Sequence, residues 1–390
     1  MSIESLDLEL KQDVFYQAVI DKSNVKGFTH DYYNYPARFS PLFVREAIKK
    51  FTNPRDLIID PFVGGGTTLV EAKLLNRNCI GIDISTLATF ISNTKITLLN
   101  SKSIDHVNEW ACKVIPFLSC RSNTKVQDKK EYPKNLSNKN TWPIRNLIDF
   151  LLETLDSSSL STKQKRFVRC GILKTAQWAL DNKKIVPSAG RFRQKLIENI
   201  ELMGIGALAF YEGSKSSDKD LVSICLNSSS DKIHKLKIVN QQRSPTLILT
   251  SPPYPGIHVV YHRWQINGRK ETPAPFWIAN SMDGHGLSHY TMGNRNEVGL
   301  DTYFENILRT FSSIKKICSA NTTIVQMLAF SDISWQLPRY LDVMERAGFK
   351  EVHLTQDRMW RDVPNRKWYA NKNGKTQSSN EVVLIHKLIT

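Results

Sequence analysis

The chain has little of what an exported or membrane-bound protein needs. Its 390 residues include six cysteines, at positions 79, 112, 120, 170, 225 and 318. None forms a CxxC pair and no histidine cluster accompanies them, which argues against structural zinc and a disulfide framework and fits a reducing, cytoplasmic setting. No uncharged apolar run is long enough to span a bilayer, so no membrane association is expected. The opening stretch MSIESLDLELKQD is acidic and lacks an apolar segment, so no signal peptide is expected. No internal repeat is visible. Acids are also in short supply, with 37 Asp and Glu against 53 Lys and Arg, a formal charge of +16. Such a surplus favours a polyanionic partner, because each neutralised phosphate releases condensed counterions. The plain alternative is a generally basic surface.

The length allows one large domain with an insertion, or two domains. Pro41 to Phe51 places Leu42, Val44, Ala47, Ile48 and Phe51 near helical spacing. Asp56 to Asp60 (DLIID) and Cys79 to Asp83 (CIGID) are short apolar runs that each end in an acid, as buried parallel strands do. Helical stretches follow each, at Leu69 to Leu75 and Ser85 to Leu99. This alternation predicts a doubly wound, mostly parallel sheet. Polar loops and amphipathic helices (Ile144 to Leu155, Lys163 to Leu180, Arg191 to Met203) then predict a helical insertion. Strands resume at 221–226, Thr246 to Thr250 and Asn321 to Phe330. Trp335 to Ala347 reads as a helix capped at Gly348. Phe349 to Thr355 and Glu381 to Leu388 read as a terminal strand pair, joined by a basic, aromatic loop from Arg358 to Ser379. The chain therefore divides into 1–100, a helical insertion 101–220, and 221–390.

Two segments carry chemistry. In Asp60-Pro-Phe-Val-Gly-Gly-Gly-Thr-Thr68 a glycine turn joins strand to helix. Backbone N–H groups there can approach a ligand closely, and the helix N-terminus suits a carboxylate. Gly64 and Gly66 would make the approach and Thr67 would cap the helix. Asp60 is placed to meet an ammonium group, directly or through water. Asp83, about twenty residues on, ends the next strand where an acid can bind ribose hydroxyls. A nucleotide dehydrogenase or a bare βα turn could use such a loop, but Asp-Pro-Phe before the glycines is not the dinucleotide fingerprint.

The second segment is Ser251-Pro-Pro-Tyr254, directly after an apolar strand. A base's exocyclic amine is a poor nucleophile because its lone pair is delocalised into the ring. Accepting its N–H protons draws the nitrogen toward tetrahedral geometry. Ser251 offers a hydroxyl, Pro252 a carbonyl with no N–H, Pro253 stiffness and Tyr254 a flat face for stacking. Attack on a sulfonium methyl then needs mainly proximity and orientation, worth roughly 7–11 kcal/mol. No metal is required. Read alone, Ser-Pro-Pro-Tyr could be a surface turn or a polyproline-type segment.

Together these residues resemble the amino-methylating DNA methyltransferases, which modify cytosine N4 or adenine N6. The resemblance covers residues 30–100 and 220–390. It implies a Rossmann-like α/β fold and S-adenosylmethionine as cofactor. Tyr35, Pro36 and Phe39, in Tyr35-Pro-Ala-Arg-Phe39, resemble the segment that closes over the methionine end of the cofactor. The resemblance gives cofactor contacts to Asp60, Pro61, Phe62, Gly64, Gly66, Thr67, Thr68, Asp83 and Ile84. Family members often carry an acid at the end of the strand before the catalytic one, touching the cofactor's adenine; here Asn227 stands in that neighbourhood as the cofactor-binding candidate that would hydrogen-bond the adenine edge. Serine at the first tetrad position is typical of the cytosine-N4 group, whereas adenine-N6 members mostly carry Asp or Asn. The resemblance places target recognition in the intervening segment, where the basic helices from 140 to 200 stand. After the tetrad, His258, His262, Arg263, Trp264, Arg269 and Lys270 read as a lid over a flipped base and the DNA backbone. Arg361, Arg366 and Lys367 in the later loop are further DNA candidates. The expectation is a site-specific DNA methyltransferase of a prokaryotic restriction or defence system, acting on double-stranded DNA beside a possible cognate endonuclease. Adenine-N6 or RNA methylation and a non-catalytic DNA-binding subunit are the alternatives.

Overall fold

The computed structural model describes residues 13–23, 25–35, 38–119, 132–218, 220–256, 263–266, 270–282, 290–362 and 380–389. Among the described residues ten strands run in chain order: β1 (Leu57–Asp60), β2 (Asn78–Asp83), β3 (Ser223–Asn227), β4 (Leu247–Thr250), β5 (Trp264–Ile266), β6 (Lys270–Thr272), β7 (Thr323–Ala329), β8 (Phe349–Glu351), β9 (Met359–Asp362) and β10 (Asn380–Leu388). Eight of them form one sheet, in the order β3-β2-β1-β4-β7-β10-β8 with β9 also on β10. The pairs from β3 to β7 are all parallel. β10 runs antiparallel to β7, β8 and β9. The sheet is thus Rossmann-like and mostly parallel, as the βα alternation requires.

Strands β1, β4 and β7 are buried throughout. Their near-continuous apolar sequences (LIID, LILT, TIVQMLA) follow from helices covering both faces. From β1 the chain moves outward through β2 to β3, then returns to place β4 on the other side of β1. That reversal is a topological switch point, where the carboxyl ends of neighbouring strands leave a crevice. Asp60 ends β1 and Thr250 ends β4, so the two motifs meet there.

Between β2 and β3 the described residues carry helices and no strand. The helix Thr86–Lys95 is followed by Ser101–Val114, Trp142–Ser157, Thr162–Leu180 and Ala189–Gly213. Ser161 and Gln164 form a reciprocal capping box that starts the third of this inserted group. These helices share one core with Tyr32, Tyr33, Tyr35, Trp264 and the helix Ala274–Ile278. Among the described residues no helix is long and apolar enough to cross a membrane.

Some elements differ from expectation. The last insertion helix runs to Gly213, ten residues past Met203, because its buried face continues through Ala207 and Phe210. The helix after the glycine turn starts at Thr67 and has Gly66 at its N-cap, with no side-chain capping bond. Thr67 therefore does not cap it. Within the expected loop from Arg358 to Ser379, Met359–Asp362 forms β9, in register with β10.

Candidate active site

The glycine turn is shaped by what crowds it. Gly66 has φ +77°, and a Cβ there would stand 2.7 Å from Ser92 Oγ and 3.0 Å from Ser92 Cα. Gly64 has φ +47° and faces the Tyr35 ring. A Cβ on Gly65 would meet Arg38 and Tyr35 at 3.3 Å. The segment containing Tyr35 therefore lies over the turn, with the Phe39 ring tilted against Phe43 in the core beneath, their centroids 5.5 Å apart. Pro36 is outside the described residues. From the helix Thr86–Lys95, Ser92 donates to the Gly64 carbonyl at 3.1 Å and Lys95 to the Gly65 carbonyl at 2.7 Å. Burial, reinforced by the Arg38 charge, pushes the Lys95 ammonium down to about 7. Behind the turn, buried Glu71 accepts from Arg45 Nε at 2.7 Å and pairs with His30 at 2.7 Å. This ties the N-terminal segment to the helix Thr67–Leu74.

Two carboxylates flank the turn. Asp83 accepts from the Gly64 and Ser85 amides at 2.9 and 2.8 Å. Burial pushes its carboxyl up to about 6. Asn227 donates to the carbonyls of Asp83 and Ile84, fixing that strand end. Asp60 is 2% exposed. It accepts from Thr68 Oγ1 at 2.6 Å, Thr250 Oγ1 at 2.8 Å and the Phe62 amide at 3.2 Å. Burial likewise pushes it up to about 6. Its place differs from the simple expectation of a carboxylate facing ligand: it is chiefly a junction. One side chain joins the cofactor helix (Thr68) to the strand that delivers the tetrad (Thr250). The carbonyl of Pro61 accepts from Ser230, which holds the loop from the β3 side.

At the end of β4, Ser251 is partly exposed, Pro252 is buried and Pro253 is partly exposed. Tyr254 is 8% exposed, and its hydroxyl donates to Glu381 at 2.6 Å. Two residues that sequence reasoning omitted therefore matter here. Thr250 stood in plain view beside Ser251. Glu381 had a weaker signal, as an acid opening the otherwise apolar strand NEVVLI.

The structure separates the residues expected to touch DNA. Trp264 is 1% exposed and donates to Tyr33 at 3.0 Å; it is core, not lid, because it packs in the same apolar core as the insertion helices. Arg361 lies in β9 with its side chain 13% exposed, 3.8 Å from Glu381. It faces an internal acid. Lys270 is exposed and Arg263 partly so. Lys183 bridges to Ile266, the register partner of Lys270. That contact brings the exposed Lys183 and Lys184 of the insertion beside the hairpin β5–β6. His258, His262, Arg269, Arg366 and Lys367 lie outside the described residues.

A glycine turn at a switch point, paired acids on adjacent strand ends and a rigid Pro-Pro turn resemble the core of Rossmann-like methyltransferases. Asp83 fits S-adenosylmethionine. Asp83 has only backbone amides to offset its burial, so a polyhydroxyl or cationic ligand suits it. When bound, the cofactor supplies an electrophilic methyl group. Comparison agrees with this class. Residues 7–91 match the family model described as DNA methylase, a span that holds the glycine turn and Asp83 but ends before the tetrad. The Type II methyltransferase M.MjaII of Methanocaldococcus jannaschii is 37% identical over 93 residues, 24% of this chain and 17% of that protein. M.MvaI of Kocuria varians, also a Type II methyltransferase, is 27% identical over 139 residues, 34% of this chain and 30% of that protein. The matched segments thus span less than a third of these relatives. The chain resembles the amino-methylating DNA methyltransferases, whose methyl donor is S-adenosylmethionine. Among solved structures, TrmN from Thermus thermophilus covers 90% of this chain and 49% of that one, at a TM-score of 0.32 and 9% identity. The rRNA methyltransferase aviRa from Streptomyces viridochromogenes covers 95% and 96%, at a TM-score of 0.34 and 9% identity. Both likenesses are too slight to compare site residues.

Proposed function

We propose that the chain is a site-specific DNA methyltransferase that moves a methyl group from S-adenosylmethionine to the N4 of a flipped cytosine. One observation carries the reading: Thr250 Oγ1 donates to Asp60 at 2.8 Å, joining the cofactor turn to the strand bearing Ser251–Tyr254. In this reading Asp83 and the glycine turn hold the cofactor, with Tyr35 and Phe39 supporting the segment above it. Ser251 and the Pro252 carbonyl accept the N–H groups of the target amine, and Tyr254 offers its ring to the base. Extruding the base costs a few kcal/mol, offset by pocket contacts. The serine favours cytosine N4 over adenine N6. The basic edge of Lys183, Lys184 and Lys270, with Arg263 near it, is the proposed contact to the DNA backbone. Double-stranded DNA is the proposed partner, in a prokaryotic cytoplasm, with a cognate restriction endonuclease as a second.

The test is transfer of labelled methyl from S-adenosylmethionine to duplex DNA, followed by nucleoside analysis. The reading expects N4-methylcytosine, and expects Ser251→Ala and Tyr254→Ala to abolish transfer while cofactor binding persists. Methylation surviving both changes would sink the mechanism.

A further inference from the structure

The carboxylate of Glu381 stands behind the Ser-Pro-Pro-Tyr turn. It opens β10, opposite Arg361 in the β9–β10 register, and is 4% exposed. Its Oε1 accepts the Tyr254 hydroxyl at 2.6 Å. Its Oε2 lies 3.8 Å from Arg361 Nη1. The Tyr254 hydroxyl is in turn 3.5 Å from Ser251 Oγ, in a geometry that lets the serine donate.

A serine hydroxyl is ambiguous where a site must receive an amine N–H. It can present a lone pair or its own proton. The Glu381 oxygen facing Tyr254 is placed as the acceptor of the tyrosine hydroxyl. Tyr254 must therefore donate to Glu381, which leaves its oxygen to accept from Ser251. The serine then directs its proton at Tyr254 and its lone pairs at the pocket. The serine–tyrosine contact is at the long limit of a hydrogen bond, and such contacts shorten when substrate is seated.

We propose that Glu381 is a positioning residue that sets the hydrogen-bond polarity of the turn, so that Ser251 meets the target amine as an acceptor. This rests on the reading that Ser251–Tyr254 receives an exocyclic amine. Arg361 makes the device specific. With a guanidinium facing one arm of residue 381, an amide there turns its oxygen to Arg361 and its NH2 to Tyr254. Every donor in the chain then reverses, and the target amine meets a proton instead of a lone pair.

The test compares wild type, Glu381→Gln, Tyr254→Phe and the double variant. Initial rates are read with labelled S-adenosylmethionine on duplex DNA and, in parallel, on RNA. For Glu381→Gln the expected fall in kcat is about 10- to 100-fold, with KM for cofactor and nucleic acid within about threefold. In the Tyr254→Phe background the same change adds less than about twofold, since the relay is already cut. A merely structural Glu381 would instead raise KM together with the loss of kcat, and the two substitutions would multiply. That result overturns the proposal, as does a Glu381→Gln enzyme with kcat within about twofold of wild type. Should Glu381→Gln fail to fold, Tyr254→Phe decides: a lower kcat at unchanged KM supports the relay, and an unchanged kcat overturns it. Methylation of RNA but not DNA defeats the proposed substrate, while the variant comparison still judges Glu381. No transfer to either polymer defeats both.

Discussion

At the scale of single residues the site is governed by burial. Gly66 combines φ +77° with a Cβ position 2.7 Å from Ser92 Oγ. A Gly66→Ala variant therefore takes on left-handed strain of about 1–2 kcal/mol plus the clash. Calorimetry should show a melting point lowered by several degrees, and titration a cofactor affinity weakened at least tenfold. Asp60 bears on pH. Burial pushes its folded carboxyl up to about 6, from an ordinary value of 3.8. Between those values the folded chain keeps a proton that the unfolded chain has released, so this group's contribution falls as pH rises through the window. Asp60→Asn cannot lose that proton. Relative to wild type it should gain up to about 3 kcal/mol between pH 4 and pH 7 in denaturant titrations. A constant difference across that range would show that Asp60 is ionised throughout. These roles were only half legible in the sequence. The acid of Asp60-Pro-Phe was visible at a strand end. Its partners were not, since Thr250 lies 190 residues away and only the sheet order makes β1 and β4 neighbours.

At the scale of elements, periodicity located the strands that matter. Apolar runs ending in acids gave β1 and β2, because strands covered on both faces can hold little else. The helix after β2 was expected from Ser85 to Leu99; it runs Thr86–Lys95, with Ser85 as the cap that accepts from Ala88. What the pattern missed has a common cause. β9 is a four-residue edge strand, MWRD, whose pairing with β10 comes from tertiary contact and not from its own alternation. Trp264 misled for a similar reason. An aromatic among basic residues suggests nucleic acid, yet its indole is 1% exposed and is held by Tyr33. Trp264→Phe removes that donor and leaves the buried Tyr33 hydroxyl wanting, at a cost of about 1–3 kcal/mol. Chemical denaturation should show this loss. KM for DNA should stay unchanged wherever the variant is folded, whereas a lid role would raise it.

At the scale of the whole molecule, charge and topology act together. The formal charge of +16 says nothing of where a polyanion would sit. The fold narrows it by bridging Lys183 to Ile266 beside Lys270. Substituting Lys183, Lys184 and Lys270 by alanine should weaken binding across DNA sequences and lower the slope of log affinity against log salt by about 2–3. Melting temperature should hold, since all three side chains are exposed. An unchanged salt slope would move the DNA path elsewhere on the surface.

The most direct measurement is long-read sequencing, with modified bases read genome-wide, of DNA from cells expressing this chain. The expected result is N4-methylcytosine recurring in one short motif, lost on Ser251→Ala. N6-methyladenine in a motif would overturn the serine-based choice of base, and a genome without either mark would contradict the account itself.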